Sequence, residues 1–160
     1  MEETARHLQE IVAHAARLMR KITDKEASKK VKPEKWSKKE ILGHLIDSAG
    51  NNQQKFVRLM ENPQLTFVAY NQDYWVTAQR YCYADWNELI TLWELANMHL
   101  AHVIKYTMPN RLHHEITIDG KGPFSLEFIM KDYVEHLKHH LKQILPDAGI
   151  DSKFENIYAS

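Results

Sequence analysis

Apolar residues recur at spacings of three and four in four long stretches of the chain, which is the signature of amphipathic helices rather than strands. Leu8, Ile11, Val12, Ala15, Leu18, Met19 and Ile22 form one stripe over roughly 3–22. A second stripe opens at Ser37-Lys-Lys-Glu40, a capping box, and runs through Ile41, Leu42, Leu45, Ala49, Phe56 and Met60 until Pro63 stops it. The third opens at Asp85-Trp-Asn-Glu88, carries Leu89, Ile90, Trp93, Ala96, Leu100, Val103 and Ile104, and ends before Pro109. The fourth begins near Ser125 and continues through Leu126, Ile129, Tyr133, Leu137, Leu141 and Ile144 to Pro146. Four such helices predict an all-α four-helix bundle, one domain over residues 1–160.

The connections are longer than a minimal up-down bundle requires. Residues 23–36 are lysine-rich, with Trp36 packing at their end. Residues 61–84 make a long loop rich in tyrosine, in which about 72–80 is expected as a short helix across the bundle mouth. The stretch His114-Glu-Ile-Thr-Ile-Asp-Gly-Lys-Gly alternates around an Asp-Gly turn and predicts a small hairpin before the last helix.

Composition narrows the function classes. Twenty-one basic residues balance twenty-one acidic ones, which argues against a general nucleic-acid binder. No apolar run suits a membrane span and the amino terminus is polar and acidic, so a cytoplasmic protein is expected. A lone cysteine, Cys82, can build neither an internal disulfide nor a thiolate metal site, and reads as packing between two tyrosines. Lys29-Lys30 and Lys38-Lys39 read as solvated faces.

The surplus is in histidine, of which there are ten. At about 100° per residue, with Leu126 as zero, His140 falls about 40° and His136 about 80° from the core direction of the fourth helix. His139 lies about 140° away and is expected in solvent, a bystander. His136 and His140 are thus four apart on one face, the spacing of two ligands to one divalent metal. A third ligand must come from another helix. His44 lies about 60° from Ile41 on the second helix, at a depth that suits an antiparallel neighbour. His99, at the edge of the third helix, is the alternative, whereas His102 points away. One turn from the histidines on the same helices stand Asp47 and Asp132, which could orient ligands or act as a general base through water. His136 is followed by Leu137, so the zinc-protease His-Glu-x-x-His is absent, as are the paired Glu-x-x-His of di-iron bundles and any phosphate loop.

The stretches Trp36-Ser-Lys-Lys-Glu-Ile-Leu-Gly-His44-Leu-Ile-Asp-Ser-Ala and Asp132-Tyr-Val-Glu-His136-Leu-Lys-His-His140 resemble the second- and fourth-helix motifs of the DinB/YfiT-like superfamily. The resemblance extends through Tyr70-Asn-Gln-Asp-Tyr-Trp75 and over nearly the whole chain. It implies a four-helix bundle whose histidine triad binds a divalent metal, often nickel or zinc, and it maps that triad onto His44, His136 and His140. Relatives include thiol S-transferases that use a low-molecular-weight thiol such as bacillithiol, mycothiol-dependent isomerases and metal-dependent hydrolases. Both chemistries use a three-histidine metal with an open position, which acidifies water or a cosubstrate thiol. Asn71, Gln72 and Tyr74 are the loop residues expected to line the substrate pocket. The resemblance also favours a homodimer, with the first and third helices supplying the face. The competing class is a non-catalytic bundle whose histidines bind metal for stability or sensing.

Overall fold

The computed structural model describes residues 1–157. Four long helices carry it: α1 (Glu2–Met19), α3 (Lys38–Glu61), α5 (Trp86–Lys105) and α6 (Leu126–Ile144), with short helices α2 (Asp24–Ala27) and α4 (Gln72–Ala78) between them. The starts of α3, α5 and α6 are fixed by the residues the pattern marked. Ser37 and Glu40 close a capping box, Asp85 accepts from the amides of Asn87 and Glu88, and Ser125 accepts from that of Phe128. The stripes become the core, where Leu8, Val12, Leu42, Leu45, Phe56, Trp93, Leu100, Leu137 and Leu141 are fully buried.

The contacts at the helix ends define the topology. Met19 and Trp86 meet at one end of α1 and α5 and Glu2 and Lys105 at the other, so these two run antiparallel. Lys38 reaches the Ile144 carbonyl while Phe56 packs on Tyr133, so α3 and α6 are antiparallel too. By contrast Lys39 bonds the Ala84 carbonyl and Met60 meets Thr107, so α3 and α5 lie parallel. Parallel neighbours oblige the chain to return along the full α3 helix, about 36 Å at 1.5 Å per residue. That is the physical reason for the long 62–85 connection.

The purely helical expectation needs correction. A three-stranded sheet, β1 (Gln64–Phe67), β2 (Glu115–Ile118) and β3 (Lys121–Ser125), closes the end of the bundle where α3 and α5 finish. The hairpin β2–β3 turns at Asp119-Gly120 as its sequence signals, both residues having positive φ. Strand β1 comes from the loop after α3 and pairs parallel with β2. The Glu115 amide donates to the Pro63 carbonyl and buried His114 Nδ1 lies 2.6 Å from the Leu59 carbonyl, fixing the sheet to the last turn of α3.

Three further expectations are corrected. Lys39 is not solvated: it is 3% exposed and pairs with Asp24 at 2.7 Å. Cys82 is exposed rather than packed, because only Tyr81 of the Tyr-Cys-Tyr turn is inward while Tyr83 is outward. The lysine-rich 23–36 segment contains α2, capped by Thr23 and Glu26 and anchored by buried Ala27. No helix among the described residues is long and apolar enough to cross a membrane.

Candidate metal centre

The capping box that starts α3 at Lys38 sets the phase that places Gly43, His44 and Asp47. His44 is 2% exposed and faces α6 beneath the half-buried Trp36, whose ring centroid is 5.2 Å away. From α6, His136 and His140 point to the same spot, their centroids 5.3 and 4.7 Å from that of His44. Each of the three offers a nitrogen, and these nitrogens lie within 4.8 Å of one another. The alternative ligand is eliminated: His99 is exposed and stacks on His102, away from the cluster.

The chemistry of this cluster fits a metal. Nε2 of His44 and Nε2 of His136 are 3.4 Å apart, about the ligand–ligand edge of a tetrahedron with metal–nitrogen bonds near 2.1 Å. The buried Nδ1 of His140 has no hydrogen-bond partner, which a purely structural trio would be expected to satisfy. Burial pushes His44 down to about 4 and His140 to about 3. His136 is held well below the usual imidazole value by burial and then by the neighbouring imidazoles and Lys55. All three are therefore neutral at pH 7, the state that ligates. Among the described residues no fourth His, Cys, Asp or Glu joins the group.

The cluster opens into a cavity of about 470 Å³ between α3 and α6. One row of α3, His44, Ser48, Asn52 and Lys55, runs along its wall, and Ser48 Oγ lies 3.4 Å from His136 Nδ1. Asp132, Tyr133 and Ile129 of α6, Ile118 of the sheet, and Ala69, Tyr70 and Gln72 of the α3–α5 connection complete much of the rest. Tyr70 stands 6.5 Å from the His44 ring and packs against Trp75 with the rings tilted by 50°. Burial, reinforced by Asp47, raises the Tyr70 hydroxyl above its ordinary value, so it stays a hydrogen-bond donor. Burial lowers the Lys55 ammonium, against the pull of Asp132 and Asp119.

The residues expected around the metal divide. Gln72 lines the cavity, but Asn71 is spent capping α4, where it accepts from the Tyr74 amide, and Tyr74 is 68% exposed. Neither lines the cavity. Asp132 does line it, one turn before His136. Asp47 is engaged elsewhere: its Oδ1 accepts from Tyr81 and Gln79, both at 2.7 Å, although its charge still acts on Tyr70. His139 is exposed as expected yet borders the cavity mouth, its ring 5.1 Å from His140. Ser48, Asn52, Lys55 and Tyr70 were not singled out by the histidine pattern. The row at i+4, i+8 and i+11 from His44 is the signal that finds three of them.

The solved structure of YfiT from Bacillus subtilis, described as a probable metal-dependent hydrolase with an unusual four-helix bundle topology, superposes with a TM-score of 0.82. The match covers 90% of this chain and 83% of that one at 19% identity, which establishes a shared fold. No curated protein matches by sequence. The family model described as the DinB superfamily matches residues 3–144, so the chain belongs to the DinB superfamily.

Proposed function

We propose that the protein is a metal-dependent enzyme acting on a small molecule, as a hydrolase or thiol S-transferase, with a nickel or zinc ion held by His44, His136 and His140. The observation that carries this reading is the convergence of three neutral imidazoles, with no fourth protein ligand among the described residues, at an open cavity. A structural site would be closed, and YfiT, which shares the fold, is itself described as a probable metal-dependent hydrolase. A divalent ion there supplies Lewis acidity, lowering the pKa of water or of a cosubstrate thiol so that either becomes a nucleophile at neutral pH.

The chain's own residues supply the remainder. Ser48 Oγ beside His136 Nδ1 orients that ring. The Tyr70 hydroxyl, kept protonated, donates to negative charge developing on the substrate. Asp132, the carboxylate on the cavity wall, accepts a proton through water, whereas Asp47 acts by holding Tyr81 and Gln79 in place. Exposed Leu92 and Leu95 on α5 support a homodimer through the α1–α5 side, which light scattering across a hundredfold dilution tests.

Metal analysis of the purified protein beside a His136→Ala, His140→Ala double variant tests the centre. About one ion per chain is expected in the first and none in the second, while His99→Ala keeps its metal. Equal metal in the wild type and the double variant overturns the reading. Metal-loaded protein is then screened with esters and amides, and with electrophiles plus bacillithiol, to separate water from thiol as the nucleophile.

A further inference from the structure

After α6 the chain turns back along its last turns, and residues 152–156 return to the mouth of the cavity. Three bonds fix this return. Ser152 Oγ donates to the Glu135 carbonyl at 2.8 Å, the Lys153 amide donates to Glu135 Oε2 at 2.7 Å, and the Phe154 amide donates to Ser152 Oγ at 3.1 Å. Lys138 holds the other oxygen of Glu135 at 2.7 Å, so the carboxylate that anchors the segment is itself anchored. Phe154 then stands edge-on to His136, centroids 5.1 Å apart, and 5.6 Å from His139, and both Phe154 and Asn156 line the cavity. The family match ends at residue 144, so these two residues lie outside the matched stretch.

We propose that Phe154 and Asn156, latched in place by Glu135, are specificity-determining residues of the site and select a substrate with a flat apolar group next to its reacting centre. The inference rests on the metal-dependent reading above. It follows from what faces the histidines: Tyr70, itself packed on Trp75, flanks His44 on one side and Phe154 flanks His136 on the other. The Tyr70 and Phe154 rings both line the cavity that holds the three nitrogens, and aromatic rings favour contact with planar apolar groups. Asn156 lines the rim of the cavity beside Phe154. Replacing Phe154 takes away the ring beside His136 while leaving every ligand and core residue unsubstituted.

The test uses full-length Phe154→Ala and Glu135→Ala proteins beside the wild type, the second removing the carboxylate that accepts from the Lys153 amide. The first readout needs no metal: the rate at which diethyl pyrocarbonate modifies His136 and His140 in metal-free protein, followed by peptide mass spectrometry. Both variants should react about fivefold faster than the wild type, because the segment that shields the rings is lost or unlatched. The second readout is visible absorption of cobalt-loaded protein titrated with imidazole and with 4-phenylimidazole. Phe154→Ala should shift the ratio of the two affinities about tenfold away from 4-phenylimidazole, because the ring that packs on its phenyl group is gone. Unchanged modification rates, or an unchanged ligand ratio, overturn the proposal. Failure of every protein to take up cobalt instead counts against the metal-dependent reading, and the modification rates still decide whether the segment covers the histidines.

Discussion

The Tyr81 ring occupies the space where residue 43 would carry its Cβ, and from there its hydroxyl donates to Asp47 at 2.7 Å. Glycine at 43 is thus a packing requirement beside the ligand His44, since a methyl group would fall within the ring. Gly43→Ala gains about 1 kcal/mol of helix propensity but must expel Tyr81, at an overpacking cost of about 1–3 kcal/mol, and strips Asp47 of a donor. The net expectation is a loss of stability, seen as a lower urea midpoint. Tyr81→Phe, which keeps the ring, should cost about 1–2 kcal/mol by leaving the buried carboxylate short of a partner. A Gly43→Ala protein as stable as wild type would show that Tyr81 is free to move aside.

Acidification should destabilise the metal-free protein well before carboxylates titrate. His44 and His140 are pushed down to about 4 and about 3, and His136 is lowered also. Between those values and the ordinary imidazole pKa near 6.5 the unfolded chain binds more protons than the native one, so stability rises with pH across that window. It is fully present above about pH 6.5 and is lost as the pH falls, with a limiting slope of about 1.4 kcal/mol per pH unit for each such histidine. Urea midpoints measured from pH 7.5 to 5 should decline, and the decline should be much shallower in the His136→Ala, His140→Ala variant. Equal slopes would mean that these imidazoles are not buried neutral.

The same shifts govern metal uptake. Three ordinary imidazoles would release about two protons on binding a divalent ion at pH 6. Histidines already neutral in the native protein release almost none. Calorimetric titration with zinc at pH 6, in two buffers of different ionisation enthalpy, gives the proton count directly. A count near two would contradict the lowered values.

Helix content and the His136–His140 pair were legible because each rests on one period, whereas periodicity left the third ligand open between His44 and His99. The stripe that buries Leu137 and Leu141 also fixes the side on which His136 and His140 stand. The order of the helices around the bundle was not, since parallel packing of α3 on α5 leaves only an indirect trace, the length of the connection between them. Strand β1 was hidden for a related reason: four residues, Gln64–Phe67, acquire their partner only when β2 arrives some 50 residues later. Asp47 shows a further limit. One turn from His44, its Oδ1 is taken up by Tyr81 and Gln79, whose positions depend on the chain around α4 rather than on the phase of α3.

Lys39 carries the last prediction, because its neighbours in sequence disguise it as surface. Its ammonium donates to the Ala84 carbonyl at 2.7 Å and pairs with Asp24, whose Oδ1 also accepts from the Trp86 amide at 3.1 Å. One side chain from the first turn of α3 therefore joins α2 to the start of α5, at the end of the bundle where the histidines lie. Lys39→Ala leaves the Ala84 carbonyl without its donor, at a cost of about 1–3 kcal/mol. The exposed neighbour substitution Lys29→Ala should stay within about 0.5 kcal/mol of wild type. Lys39→Met, which keeps the apolar stem and removes the charge, should fall between the two. Urea unfolding of the three variants at pH 7 gives the order, and a Lys39→Ala protein no less stable than Lys29→Ala would show that the α2–α5 junction holds without this ammonium.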